Sequence, residues 1–69
     1  MTLEKLEGRT NFRVFDREEK IIHHLQRKGG GWERFVSKDK RTWLKWNSYL
    51  SDEEVVLVVN RIIEKNKSL

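Results

Sequence analysis

Residues 27–46 read RKGGGWERFVSKDKRTWLKW, and this stretch contains all three tryptophans of the 69-residue chain. It also holds seven of the fifteen basic residues, namely Arg27, Lys28, Arg34, Lys38, Lys40, Arg41 and Lys45, with only two acidic ones. The stretch therefore carries a charge of +5, although the whole chain carries only +4. Cations interleaved with aromatic rings suit phosphate neutralisation and base stacking. They suit a buried hairpin with solvated lysines as well.

Two short strands are predicted within this stretch, at residues 32–37 and 42–47. Both are rich in aromatic and β-branched residues, and residues 38–41 between them form a polar turn with Asp39 in a favoured place. The alternative is helical, because six apolar residues recur at helical spacing: Trp32, Phe35, Val36, Trp43, Trp46 and Leu50. Residues 38–41 would interrupt the apolar stripe of a single helix for a full turn, which favours the strands.

Alternation along the second strand divides its side chains between two faces. Leu44 and Trp46 are expected to face the core, which leaves Trp43 on the opposite face between Arg41 and Lys45. A tryptophan flanked by cations on an open face is the arrangement that a stacking platform needs. The alternative is that Trp43 packs against residues 10–15 and serves the fold only.

A first helix is predicted to begin at Asp16. Glu19 follows three residues later, which is the spacing of a capping box, and an apolar stripe follows at residues 21–25. Gly29 lies where a left-handed C-terminal cap would end this helix.

A second helix is predicted to begin at Ser51, the first residue of the capping box Ser-Asp-Glu-Glu. Leu50 before the cap and Val55 inside the helix have the spacing of a hydrophobic staple. The run from Val55 to Val59 is apolar at every position, so at about 100° per residue it covers the whole circumference of the helix. A small domain covers one side of such a helix, which predicts a homodimer with this interface: Val55, Leu57, Val58 and Ile62. The alternative cover is N-terminal, from Leu3 and Leu6.

The predicted fold class is α+β, a small single domain with the order helix – β-hairpin – helix and with or without an extra N-terminal strand or arm. The extra strand would lie at residues 10–15, where apolar and polar residues alternate. Residues 1–9 are assigned to an arm or short helix, and residues 10–69 to the compact domain. The alternative is an all-α, helix-turn-helix-like domain.

Composition excludes several classes of function. The chain has no cysteine, its longest uncharged apolar run is too short to span a membrane, and its first residues lack a signal-peptide core. His23 and His24 are adjacent, so on a helix they could not chelate one metal together. The Lys-Gly-Gly-Gly sequence at 28–31 lacks the Gly-Lys-Ser/Thr order of a phosphate-binding loop. We therefore expect no enzyme activity, no metal and no cofactor.

The function predicted from these features is nucleic-acid binding by a small cytoplasmic regulatory or accessory protein of a bacterium, phage or archaeal virus, with DNA a better candidate than RNA. The predicted binding residues are Lys28, Arg34, Lys38, Lys40, Arg41, Trp43 and Lys45. The alternative is a protein-binding adaptor or inhibitor, because tryptophan and arginine are enriched at the centres of protein interfaces.

Overall fold

Four antiparallel strands and two helices make up the computed structural model, which describes residues 1–68. In chain order the elements are α1 (Leu3–Glu7), β1 (Asn11–Asp16), β2 (Ile21–Lys28), β3 (Gly31–Ser37), β4 (Leu44–Leu50) and α2 (Asp52–Lys67). The strands form one sheet in the order β1-β2-β3-β4, so each strand pairs with its neighbour in the sequence. The predicted helix – β-hairpin – helix order is therefore wrong, and so is the all-α alternative.

The error lies at residues 16–28, which form a turn and β2 instead of a helix. Asp16 accepts hydrogen bonds from the backbone amides of Glu18 and Glu19, at 3.0 and 3.1 Å, but these amides belong to the β1–β2 turn. The turn closes with the Lys20 amide donating to the Asp16 carbonyl at 2.8 Å. An aspartate that binds amides two or three residues ahead is as typical of a turn as of a helix cap.

The glycines at 29–31 make the β2–β3 hairpin tight. Lys28 pairs with Gly31, so the loop is only Gly29 and Gly30. Gly29 has a φ of 62°, a left-handed value that glycine adopts without the steric cost of a Cβ. Gly31 lies against β4, where an added Cβ would be 3.0 Å from the Leu50 carbonyl oxygen. The glycine predicted to cap a helix is thus a hairpin residue.

The two strands predicted within residues 32–47 do pair, antiparallel, as β3 and β4. The register shifts between Trp32 and Phe35, so β4 is kinked relative to its partner. The strand predicted at residues 10–15 is also present, as β1.

The core lies between the sheet and the helices, and one tryptophan is at its centre. Its buried members are Leu6, Leu25, Trp32, Leu50, Val55 and Val59. Trp32 is fully buried, whereas Trp46 is 48% exposed. The prediction that Trp46 belongs to the core is therefore wrong, and Trp32 takes that place.

Helix α2 begins as predicted, with Ser51 and Glu54 forming both hydrogen bonds of a capping box. The apolar run of α2 is covered along one stripe by the monomer itself, because Val55, Val59 and Ile62 are buried. A second chain is not required to cover that stripe. Leu6 of α1 contributes to the same cluster, as the alternative cover predicts, whereas Leu3 is 47% exposed. Within residues 1–68, neither helix has the length and apolar character needed to cross a membrane.

Candidate nucleic-acid interface

The two helices pack on the same side of the sheet, and the opposite side, which we call the open face, has no helix. Its side chains include, strand by strand, Arg13 and Phe15, then Ile22, His24 and Gln26, then Glu33 and Phe35, and finally Lys45. Three of these eight are aromatic or imidazole rings, and two are cations. The open face therefore combines flat side chains with positive charge.

The β3–β4 loop, residues 38–43, folds back over one end of the open face. Lys40 lines a surface cavity together with Arg13, Phe15 and Ile22. Asp39 holds the loop in this shape, because its carboxylate accepts hydrogen bonds from the amides of Thr42 and Arg41, at 3.0 and 2.9 Å. These amides lower the pKa of Asp39 below its ordinary value.

Trp43, at the end of this loop, is half-buried on the open face, where it contacts residues of β1 and β2. The Arg13 guanidinium lies 4.9 Å from its ring centroid, and the His24 ring meets it edge-on at 5.8 Å. Arg13 also donates a hydrogen bond to His24 Nδ1 at 3.2 Å. The indole nitrogen donates to the Lys40 carbonyl at 3.2 Å, which fixes the ring to its own loop.

A shallow groove of about 310 Å³ has Trp43 and Phe35 among its lining residues. We call it the Trp43 groove; the remaining residues that line it are Arg13, His24 and Gln26. The two rings give the groove apolar walls, and the amide of Gln26 can both donate and accept hydrogen bonds. A flat heterocycle with polar edges matches this combination.

Beside the groove, positive charge is partly neutralised. Lys45 Nζ lies 2.6 Å from the Glu33 carboxylate and 5.7 Å from the Phe35 ring centroid, and Lys28 Nζ lies 3.9 Å from the same carboxylate. The hydrogen bond from Lys45 lowers the pKa of Glu33, so this buried carboxylate stays ionised. Two lysines and one glutamate leave this corner with one net positive charge.

The structure does not bring all the predicted nucleic-acid residues to one surface. Lys28, Lys40, Trp43 and Lys45 belong to the open face or to its border, and Arg41 is exposed in the loop beside it. Arg34 is on the helix side of the sheet, where its guanidinium lies 5.2 Å from the Trp46 ring centroid. Lys38 lines a different groove on that helix side.

Sequence reasoning missed Arg13, His24, Gln26 and Phe35 as members of this surface. Two of them, His24 and Gln26, lie in β2, where the sequence predicts a helix in place of a strand. In the structure Ile21, His23 and Leu25 are buried and the residues between them are more exposed, which is the alternation of a strand.

The predicted dimer interface is also divided by the fold. Val55 and Ile62 are buried inside the monomer, whereas Leu57 is 58% exposed and Val58 is half-buried. The first two cannot contact a second chain without unfolding the core, so an interface of all four residues is wrong.

Among residues 1–68, no three histidine, aspartate or glutamate side chains come together as a metal site would require.

No family model, no curated protein and no solved structure matches this chain.

Proposed function

We propose that the protein binds nucleic acid on the open face, as a small regulatory or accessory protein without catalytic activity. The observation that carries the proposal is the Trp43 groove, in which Trp43 and Phe35 form the walls and Gln26 supplies hydrogen-bonding groups. Stacking of a base on aromatic side chains stabilises such complexes by about 1–3 kcal/mol per base. A cytoplasmic location is part of the same proposal.

Cations around the groove are placed to meet the phosphates on either side of a stacked base. Arg13 and Lys45 lie on the open face itself, and Lys40 and Arg41 lie in the loop at its border. Phosphate neutralisation of this kind supplies most of the sequence-independent affinity for nucleic acid.

A single strand fits this surface better than a duplex. Bases in a duplex are stacked on one another and present only their edges in the grooves. Exposed aromatic side chains such as Trp43 and Phe35 instead stack on the flat faces of a base, which are accessible only when the base is unpaired. Sheet surfaces that present aromatic side chains bind unpaired bases in this way. DNA as a better candidate than RNA remains a prediction from the sequence.

The test is a fluorescence-anisotropy titration with a labelled twelve-nucleotide single-stranded DNA, the same sequence as RNA, and a duplex, each at two salt concentrations. We expect single strands to bind more tightly than the duplex. If about four phosphates are neutralised, the log–log slope of affinity against salt is about −3 for a single strand.

Two variants separate the parts of the proposal. The double change Lys40→Glu with Arg41→Glu removes the loop cations and is expected to abolish binding. The matched control is Lys5→Glu with Lys67→Glu, which makes the same change in charge on the helices and is expected to have a much smaller effect. Gln26→Leu keeps the size of the side chain and is expected to weaken binding without changing the salt slope.

Equal loss in the two double variants would mean that net charge alone drives binding, and would contradict a site on the open face. Absence of binding to all three nucleic acids would favour the alternative of a protein-binding adaptor or inhibitor. The proposal also fails if Gln26→Leu, still folded by its amide spectrum, binds a single strand as well as the unchanged protein.

A further inference from the structure

The helix layer is narrower than the sheet, and the uncovered part is the helix side of β4. Leu44 and Trp46 point to that side, and they are 61% and 48% exposed. Since α1 packs against α2 and α2 packs mainly against β1, neither helix covers this end of β4 fully, and Trp46 is covered in part by Arg34 and His23. A groove follows the boundary between α2 and β4, and we call it the Trp46 groove.

One half of the Trp46 groove is apolar. It has a volume of about 270 Å³, and its apolar lining consists of Ile21, Val36, Leu44 and Trp46. Lys38, Asp39 and Thr42 form its rim together with Ser37. This half has the shape and lining for one aliphatic or aromatic side chain.

The other half is polar and shares Trp46 with the first. Its volume is about 230 Å³, and its charged and titratable lining consists of Asp16, Glu19, His23, Arg34, Arg61 and Lys65. Lys65 is already engaged, because its Nζ lies 2.6 Å from the Asp16 carboxylate and 3.8 Å from that of Glu19. The cations that remain are the two arginines.

Two polar side chains in this half, His23 and Arg34, have fewer partners within residues 1–68 than they could bind. His23 is 3% exposed, and neither ring nitrogen has a hydrogen-bond partner. The half-buried Arg34 donates through Nε to Asn47 at 2.7 Å, but among residues 1–68 no carboxylate lies within 4.0 Å of it. With no carboxylate of the described residues on it, the Arg34 guanidinium is available to pair with an acceptor from another molecule, whereas the His23 ring is enclosed by the protein.

Strand β4 also offers unpaired backbone. It pairs with β3 on one edge only, and it is the last strand of the sheet. The opposite edge strand, β1, is partly covered because Asn66 of α2 donates to the Phe15 carbonyl at 2.7 Å. A free edge can pair with an extended peptide, whose alternate side chains then fall on the same face as those of its neighbour.

We propose that the edge of β4 and the Trp46 groove bind an extended peptide of a protein partner, with an apolar residue seated beside Leu44 and an Asp or Glu two residues away on Arg34. The spacing follows from β4 itself, because Leu44 and Trp46 are two residues apart and point to the same side. This site lies on the face opposite the proposed nucleic-acid surface and does not depend on it.

A peptide fits this groove better than a nucleic acid does. Asp16, Glu19 and Asp39 line the two halves, so a chain of phosphates would meet three carboxylates. One carboxylate directed at Arg34 avoids them, because Lys65 holds Asp16 and Glu19 at the far end.

The test begins with a random linear peptide library displayed on phage and selected against the intact protein. We expect the enriched peptides to share an apolar residue and an acidic residue in an apolar-x-acidic or acidic-x-apolar arrangement. The best of them, made synthetically, is then titrated into ¹⁵N-labelled protein. The amide signals that shift should belong to β4 and to residues that line the Trp46 groove.

The charge contact is tested by a pair of changes. Arg34→Gln and replacement of the peptide's acidic residue by its amide are each expected to weaken binding at least tenfold, and the two together no more than either alone. Lys5→Gln is the control for loss of a remote cation and should leave affinity unchanged. Leu44→Ser, at an exposed position, should weaken binding while the amide spectrum stays folded.

Four results would overturn the proposal. They are an unenriched library, enriched peptides without the acidic residue, amide shifts confined to the open face, and additive effects of Arg34→Gln and the peptide amide. If twelve-nucleotide single-stranded DNA shifts the groove amides instead, the occupant is nucleic acid. If the groove amides shift with protein concentration alone, the occupant is a second copy of this chain.

Discussion

The indole nitrogen of Trp32 donates a 2.8 Å hydrogen bond to Oδ1 of Asp52, the first residue of α2. The same carboxylate oxygen lies 3.3 Å from the Arg27 guanidinium, which in turn lies 4.5 Å from the Trp32 ring centroid. One carboxylate thus joins the centre of the sheet to the start of the helix and satisfies the only polar group of the buried tryptophan.

Removing this carboxylate leaves the indole N–H without its acceptor. We expect Asp52→Ala to lower the free energy of unfolding by about 1–3 kcal/mol, since this is the usual cost of a buried unsatisfied donor. Urea unfolding followed by circular dichroism measures it. Glu53→Ala is the control, because it removes an adjacent exposed carboxylate from the same helix turn, and an equal effect would show that helix-terminal charge is responsible.

The buried tryptophan is expected to matter more than the exposed one. Trp32→Ala should cost about 3–5 kcal/mol of unfolding free energy, enough to unfold many domains of this size. Trp46→Ala should cost much less, because about half of that side chain is already in water. The same unfolding measurement compares them, and a larger loss for Trp46→Ala would contradict the assignment of the core.

His23 makes stability dependent on pH. Burial and the nearby Arg34 charge lower the pKa of His23 below its ordinary value of 6.5. Because the unfolded chain then binds a proton at a higher pH than the folded chain does, stability should fall as the pH drops below about 6.5. We expect the urea midpoint to be lower at pH 5.5 than at pH 7.0. His23→Leu should remove this difference, whereas His24→Leu should retain it.

Asp16 contributes in a more acidic range. Burial would raise the pKa of Asp16, but the hydrogen bonds from Lys65 and from the amides of Glu19 and Glu18 lower it. Its contribution is therefore present above about pH 4, the range of an ordinary aspartate, and is lost as the pH falls through the lower folded pKa. Asp16→Asn should destabilise the protein at pH 7 and flatten its acid unfolding curve. Glu18 is exposed, and its carboxylate lies 3.8 Å from Lys65 Nζ. Glu18→Gln should therefore have little effect on the stability at pH 7 or on the acid unfolding curve.

The three successive glycines allow a matched series. In Gly30→Ala the added Cβ meets no atom within 4 Å, so this change should be nearly neutral. Gly29→Ala should lower the free energy of unfolding by about 1–2 kcal/mol, because an added Cβ disfavours the left-handed φ of this residue. Gly29→Asn should be tolerated better, since asparagine adopts this region more readily. Gly31→Ala requires movement of the Leu50 backbone. Thermal melts rank the four, and a neutral Gly29→Ala would contradict the turn geometry.

Homodimerisation remains a prediction. Of the four residues predicted to form its interface, Leu57 and Val58 are the two that are not buried in the monomer. Light scattering coupled to gel filtration should give a mass near twice 8.4 kDa at high micromolar concentration. Leu57→Glu should return the mass to that of one chain without unfolding it, because Leu57 lies outside the core. A mass near 8.4 kDa for the unchanged protein would exclude this dimer.

The elements that could be predicted from the sequence are those specified by local chemistry. The capping box of Ser51 and Glu54 places its hydrogen bonds within one turn, so it identified the start of α2. The sequence predicts a helix where β2 lies, because residues 21–25 have apolar side chains at both strand and helix spacing. The Asp16 carboxylate can accept hydrogen bonds from the following amides in a turn as well as at the start of a helix. Local alternation does not show which residues of β4 the helices cover, because that depends on the width of the packed layer.

The same distinction applies to the candidate site. Trp43 lies on the open side of the sheet, but in the loop before β4, and it packs against Arg13 of β1, which is the contact with residues 10–15 that the alternative predicts. Its neighbours Arg13 and His24 come from strands whose register the sequence does not specify. Arg34 was grouped with the other cations by proximity in the sequence. Alternation along β3, together with the register shift beside it, directs that side chain to the helices instead.

The strand order has a consequence for how the chain assembles. Each strand pairs with the next one in the sequence, so the sheet has low contact order and its hairpins can close early. The contacts that span the chain are made by α2, whose Asn66 accepts from the Arg17 amide across 49 positions and whose Asn60 exchanges hydrogen bonds with Met1 across 59. Docking of α2 is therefore expected to be the late step of folding, and its release the first step of unfolding. Changes at the α2–β1 junction should then speed unfolding more than they slow folding.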